Sequence, residues 1–134
     1  MAAVFPIPFQ AFYSASKAAV GALAYALRNE LRPFGIHVSC FMPGDVKTAF
    51  TDSRGKSLDG ADTYTAMQHA VAVMERDEQN GMPPETIARS LLKLAARRRP
   101  PLYTTAGLQY HIFSLLNRIL PASLVCRVVG KIYS

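Results

Sequence analysis

The sequence predicts an α/β fold organised around a parallel sheet, on three observations. Residues 13–32 are rich in alanine and leucine at helical spacing and stop at Pro33-Phe34-Gly35. The run Ile36 to Met42 is apolar and too brief for a helix, which suits a parallel strand buried on both faces. Further segments with helical apolar spacing then follow to the end of the chain.

Each element has a local reason. Residues 1–12 are expected as an extended loop, because Pro6 and Pro8 oppose a helix. In helix 13–32, Ala15, Ala18, Ala19, Ala22 and Ala26 make much of the surface small, and Leu23, Leu27 and Leu31 add an apolar stripe. Arg28 and Arg32 favour its C-terminal end. Residues 49–63 are polar, contain Gly55 and Gly60, and read as a loop. Thr65 to Glu78 predicts a helix with Ala66, His69, Ala70 and Val73 on one face, ended by Asn80-Gly81. Met82-Pro83-Pro84 leads into a helix over Glu85–Arg98. In 108–120, Leu108, Ile112, Leu115, Leu116 and Ile119 share a face. After Pro121, with Ser123 as cap, Leu124, Val125, Val128, Val129 and Ile132 repeat the pattern.

Composition narrows the classes. The chain has 134 residues, half of them hydrophobic, enough for one ordinary domain and too apolar for a disordered segment. No apolar run approaches the roughly 18 residues of a membrane-spanning helix. Met1 to Phe12 has no basic stretch, so a secretory signal is not expected. Cys40, expected in a buried strand, and Cys126 form no disulfide framework, which points to reduced thiols in the cytoplasm. His37, His69 and His111 are scattered, and no metal site is expected. The net charge of +6 is uneven, since all 9 acidic residues lie at or before Glu85. Beyond it stand Arg89, Lys93, Arg97, Arg98, Arg99, Arg118, Arg127 and Lys131 with no acid.

The chemistry concentrates near the start. Tyr13 and Lys17 are four apart on a helix and so share a face. A free phenol has a pKa near 10, and a lysine ammonium at roughly 4 Å stabilises its anion by up to about 4 kcal/mol at an effective dielectric of 20. The pair is a proton-transfer device in outline. Ser14 and Ser16 read as helix-start residues, not nucleophiles, for want of a histidine–carboxylate partner. Downstream of the strand comes Pro43-Gly44-Asp45-Val46-Lys47-Thr48, in which Gly44 allows close approach of a flat ring to the backbone.

Tyr13-Ser14-Ala15-Ser16-Lys17 resembles the Tyr-x-x-x-Lys motif of the short-chain dehydrogenase/reductase family, and residues 43–48 resemble its Pro-Gly-x-Val-x-Thr loop. The resemblance implies the C-terminal part of a Rossmann-like, doubly wound parallel sheet, incomplete in this chain, with Pro100 to Thr105 as the last strand. It implies residues 1–107 as a partial NAD(P)-binding domain and 108–134 as a basic, amphipathic helical extension. It implies interconversion of an alcohol and a ketone or aldehyde with NAD or NADP. Tyr13 would be the general acid/base and Lys17 would assist it and hold the nicotinamide ribose. Pro43, Gly44, Val46 and Thr48 would cradle the nicotinamide, and 49–63 would form a substrate flap. The family's Gly-rich turn and catalytic serine have no counterpart in these 134 residues. The chain alone is therefore expected to be poorly stable and without measurable dehydrogenase activity.

The partners expected are a small alcohol or ketone of hydrophobic character and a second copy packed through helix 13–32. Two readings stay open for 108–134: packing on protein, or lying on an acidic membrane surface as a peripheral segment. Nucleic acid is not expected, since the tail carries no recognisable motif. The alternative to an enzyme is a non-catalytic piece acting by dimerisation or membrane association.

Overall fold

The computed structural model describes residues 4–49 and 65–133. Its order is helix α1 (Ala11–Glu30), a 3-10 turn (Arg32–Phe34), strand β1 (Cys40–Met42), helices α2 (Thr65–Gln79) and α3 (Pro84–Ala95), strand β2 (Tyr103–Thr105), and helices α4 (Leu108–Ile119) and α5 (Ala122–Tyr133). The strands are parallel, with Cys40 opposite Tyr103, Phe41 opposite Thr104 and Met42 opposite Thr105. This is the partial α/β sheet that the sequence predicts. Of the loop expected at 49–63, residues 50–63 lie outside the described residues.

α1 begins two residues earlier than the expected start at 13. Its N-cap is Gln10, with no side-chain cap. The chain enters through a turn in which the Gln10 amide bonds the Ile7 carbonyl at 3.1 Å. Ser14 is thus inside the helix. It is buried, and its Oγ accepts the Ile7 amide at 3.4 Å, fixing the entry turn. The far end closes at Glu30, two residues short of 32, with Leu31 as its C-cap; Gly35 ends the 3-10 turn that follows at φ 71°, a left-handed geometry that suits glycine. The inward face of α1 is its small one, Ser14, Gly21 and Ala24, whereas Leu23 is exposed. The small face lets β2 come close, and Tyr103 Oη donates to the Gly21 carbonyl at 3.1 Å.

β1 is shorter than the run Ile36–Met42, and Cys40 is half-buried, not buried. The carbonyls that would extend the ladder have other partners. Arg28 donates from Nη1 to the Val38 carbonyl at 2.6 Å and from Nη2 to the Pro100 carbonyl at 2.8 Å. Ser39 Oγ donates to the Pro101 carbonyl at 2.8 Å. α3 closes at Ala95, short of Arg98, with the Ala96 amide bonded back to Leu92. α5 starts at Ala122 because the Pro121 carbonyl accepts the Leu124 and Val125 amides, so Ser123 lies within the first turn and is not the cap.

Burial is thin. The buried apolar residues are Ala24, Ala70, Val73, Met74, Leu94, Ala106 and Tyr110. α4 is turned with Tyr110 inward, while Leu108, Ile112, Leu115, Leu116 and Ile119 face outward. α5 packs on α2 and leaves Leu124, Val128 and Ile132 exposed. No helix among the described residues is long and apolar enough to cross a membrane.

Candidate active site

The structure brings Tyr13, Lys17, Pro43, Gly44, Val46 and Thr48 to the lining of one open cleft of about 1240 Å³. Tyr13 and Lys17 lie on the same stretch of α1, and the loop that carries the other four leaves the C-terminal end of β1. Lys17 Nζ sits 5.1 Å from the centroid of the Tyr13 ring, within cation–π range and over the ring face. Tyr13 is 47 % exposed toward the cleft, so its hydroxyl is within reach of a solute. Ser16 is turned away, its Oγ donating to the Tyr13 carbonyl at 2.7 Å.

The loop after β1 is held from two sides. On one, Val46 forms a parallel bridge with Met82: the Met82 amide bonds the Asp45 carbonyl at 2.8 Å and the Lys47 amide bonds the Met82 carbonyl at 3.0 Å. In a parallel bridge the flanking residues make these bonds, so the peptide groups of Val46 itself take no part in it. Gly81 makes the approach feasible, since a Cβ there would lie 2.6 Å from the Asp45 carbonyl carbon.

On the other side stands Tyr110 of α4. Its hydroxyl donates to Asp45 Oδ2 at 2.8 Å and accepts the Asp45 amide at 3.0 Å. Its ring presses on Gly44, where an added Cβ would fall 1.9 Å from the ring carbon Cε2. The close ring at Gly44 is therefore the protein's own. Burial raises the Tyr110 hydroxyl pKa; the Asp45 amide opposes this and the Asp45 carboxylate adds to it. Tyr133 on α5 is raised likewise, first by burial and then by the charges of Asp77 and Asp45.

These residues fit a nicotinamide ring with its ribose in most respects. Val46 offers peptide groups unused by the Met82 bridge, Thr48 lines the cleft, and Lys17 stands beside Tyr13. The wall opposite is aromatic: Phe5 meets Phe113 edge-on at 6.4 Å, and Phe113 meets Tyr110 at 6.3 Å. His37 and His69 are exposed, and His111 pairs with Thr105 Oγ1. Among the described residues no cluster of His, Cys, Asp or Glu could hold a metal ion.

Tyr110 and Asp45 escaped the sequence reading as site-forming residues. One signal was present. Tyr110 falls on the opposite side of its helix from the Leu108–Ile119 stripe, and an aromatic on the polar face of an amphipathic helix needs a partner for its hydroxyl.

Residues 1–59 match the short chain dehydrogenase family. The chain is 39 % identical over 110 residues to a 3-ketodihydrosphingosine reductase of Bacteroides thetaiotaomicron, covering 78 % of this chain and 40 % of the relative. It is 31 % identical over 115 residues to dehydrogenase/reductase SDR family member 7B of Xenopus laevis, covering 86 % and 32 %. A Drosophila melanogaster dehydrogenase/reductase SDR family protein 7-like is 33 % identical over 123 residues, covering 88 % and 33 %. The chain thus spans between 32 % and 40 % of the length of these relatives. With a matching family profile, such relatives over most of its length and a partial parallel α/β sheet, the chain belongs to the short-chain dehydrogenase/reductase family.

Proposed function

We propose that these residues form the proton-transfer and nicotinamide-facing part of an NAD(P)(H)-dependent oxidoreductase that interconverts an alcohol and a ketone or aldehyde. The observation that carries this reading is the convergence of Tyr13, Lys17 and the 43–48 loop on one cleft. A bound nicotinamide dinucleotide supplies or accepts the hydride. Tyr13 Oη gives a proton to the carbonyl oxygen in reduction and takes it back in oxidation. Lys17 stands by the ring to stabilise the phenolate left behind and to hold the ribose. Val46 and Thr48 orient the carboxamide.

A ketone on a long apolar chain is the substrate class favoured. The aromatic wall of Phe5 and Phe113 would bury such a chain, and one relative bears the name 3-ketodihydrosphingosine reductase. No Gly-rich turn occurs in the 134 residues, so turnover is expected only where one is supplied, on the same polypeptide or in trans. In that assembled enzyme Tyr13→Phe should abolish reduction of the ketone while leaving dinucleotide binding within about twofold. Retained turnover would overturn the assignment.

A second reading concerns α4 and α5. Their outward apolar residues are flanked by Arg118, Arg127 and Lys131, and no acid lies beyond Glu85. That pattern favours seating on an anionic lipid surface. Flotation with anionic and zwitterionic vesicles tests it; equal absence of binding to both, at low and high salt, ends the reading.

A further inference from the structure

Tyr110 lies outside both motifs, yet it holds the motif loop from the C-terminal side. Three contacts act together: the ring against Gly44, the hydroxyl donating to the Asp45 carboxylate, and the Asp45 amide donating to that same hydroxyl. The residue is buried at 7 % exposure, and its helix is anchored by Gly107 at φ 87°, whose missing side chain leaves room for the Met82 sulfur and the Tyr110 ring at 3.0 Å. Met82 is also the residue bridged to Val46. The start of α4, the Gly81-Met82 corner and the 43–47 loop thus form one interlocked unit. The next residue along, Val46, is the one whose peptide groups face away from that bridge.

From this geometry we propose that Tyr110 is a positioning residue for the nicotinamide: it sets the path of Gly44 and Asp45, and through them the peptide groups of Val46. The proposal rests on the nicotinamide reading above and adds to it a residue from the C-terminal helices. Tyr110 touches neither the proton nor the hydride; it acts through the loop. The link also makes the cofactor face of the cleft dependent on how α4 is seated.

Two readouts on the assembled enzyme, in which a Gly-rich turn is supplied, test it. Hydrogen exchange resolved at single amides reports the loop directly. Tyr110→Phe keeps the ring and removes both hydrogen bonds, so the Asp45 amide should exchange about tenfold faster while amides in the middle of α1 are unchanged. Saturation-transfer NMR with NADH as the probe reports weak contacts, comparing its nicotinamide protons with its adenine protons. The nicotinamide signal relative to adenine should fall about threefold in the variant. Asp45→Ala, which leaves the Tyr110 ring in place, should give the same loop-limited change at smaller size.

Unchanged Asp45 exchange in Tyr110→Phe would overturn the latch. Faster exchange throughout α1 in both variants would show a general core role and overturn the positioning claim. No nicotinamide signal in the unsubstituted assembled enzyme would remove the cofactor reading, and the positioning claim with it. That last failure is visible before any substitution is made, which separates it from failure of the latch.

Discussion

Gly44→Ala offers a sharp test of how the loop is packed. The added Cβ would lie 1.9, 2.2 and 2.2 Å from three carbons of the Tyr110 ring, where carbon pairs settle at roughly 3.5–4.0 Å. A shift of more than about 1.5 Å is needed. The ring cannot yield alone, because its hydroxyl is bonded to Asp45, the residue that follows the substitution. Either the loop distorts, at the roughly 1–3 kcal/mol typical of overpacking, or Tyr110 leaves its site. Leaving forfeits one bond to a carboxylate and one to an amide, about 2–4 kcal/mol together. Both routes put the loss near 2–3 kcal/mol, a fall of about 1–2 M in the urea midpoint. Urea unfolding followed by circular dichroism measures it. Combining Gly44→Ala with Tyr110→Ala should lose less than the sum of the single changes by at least about 1 kcal/mol, because the clash is gone. A single variant within about 0.5 kcal/mol of the parent, or strict additivity, would refute the reasoning.

Other outcomes follow from single contacts. Arg28→Met should cost about 3 kcal/mol in urea unfolding, since it removes two charged bonds to the Val38 and Pro100 carbonyls and leaves both without their donor; a change under about 1 kcal/mol would show that water replaces the guanidinium. Phe9 sits at φ 62° and is 50 % exposed, so Phe9→Asn should hold stability or raise it by up to about 1 kcal/mol, readable as an unchanged or higher melting temperature. Tyr110 and Tyr133 both have hydroxyl pKa values raised, first by burial. The unfolded chain loses these protons first, so their contribution is intact below about pH 10 and lost as pH rises through the folded values. Urea midpoints between pH 8 and 11 should therefore fall more steeply for the parent than for Tyr110→Phe; parallel slopes would contradict this.

Much of the architecture was legible because its signals are local. Pro33-Phe34-Gly35 marks the stop of the helical run by backbone chemistry alone: α1 closes at Glu30, and Gly35 ends the 3-10 turn after it in the left-handed conformation. The site residues were legible because Tyr13 and Lys17 are bound by helical spacing, and 43–48 by a single loop. What could not be read is long-range. Arg28 looked like a charge favouring a helix end, yet its guanidinium reaches Pro100, 72 residues away, and trims the strands by taking their carbonyls. Gly44 looked like room for a ligand, and the ring pressing on it comes from Tyr110. The leucines of α1 stand out in the sequence as an apolar stripe, but it is Gly21 and Ala24 that turn inward, and that small face admits Tyr103. In each instance sequence pattern named the residue and a distant partner set its role.

The distribution of completed and uncompleted packing bears on the proposed activity. The 43–48 loop is held on both sides by contacts internal to the chain, Gly81-Met82 and Tyr110. The outward faces of α1, α4 and α5 are not, and they leave large apolar side chains exposed. Phe12, Val20 and Leu23 on α1 carry no charge among them, whereas the outward residues of α4 and α5 are bordered by Arg118, Arg127 and Lys131. A neutral apolar helix face suits packing on protein, and a cation-bordered one suits anionic headgroups. The two sides are thus chemically unlike. A single covering surface does not satisfy both, and the cleft that holds Tyr13 is walled by α1 on one side and α4 on the other.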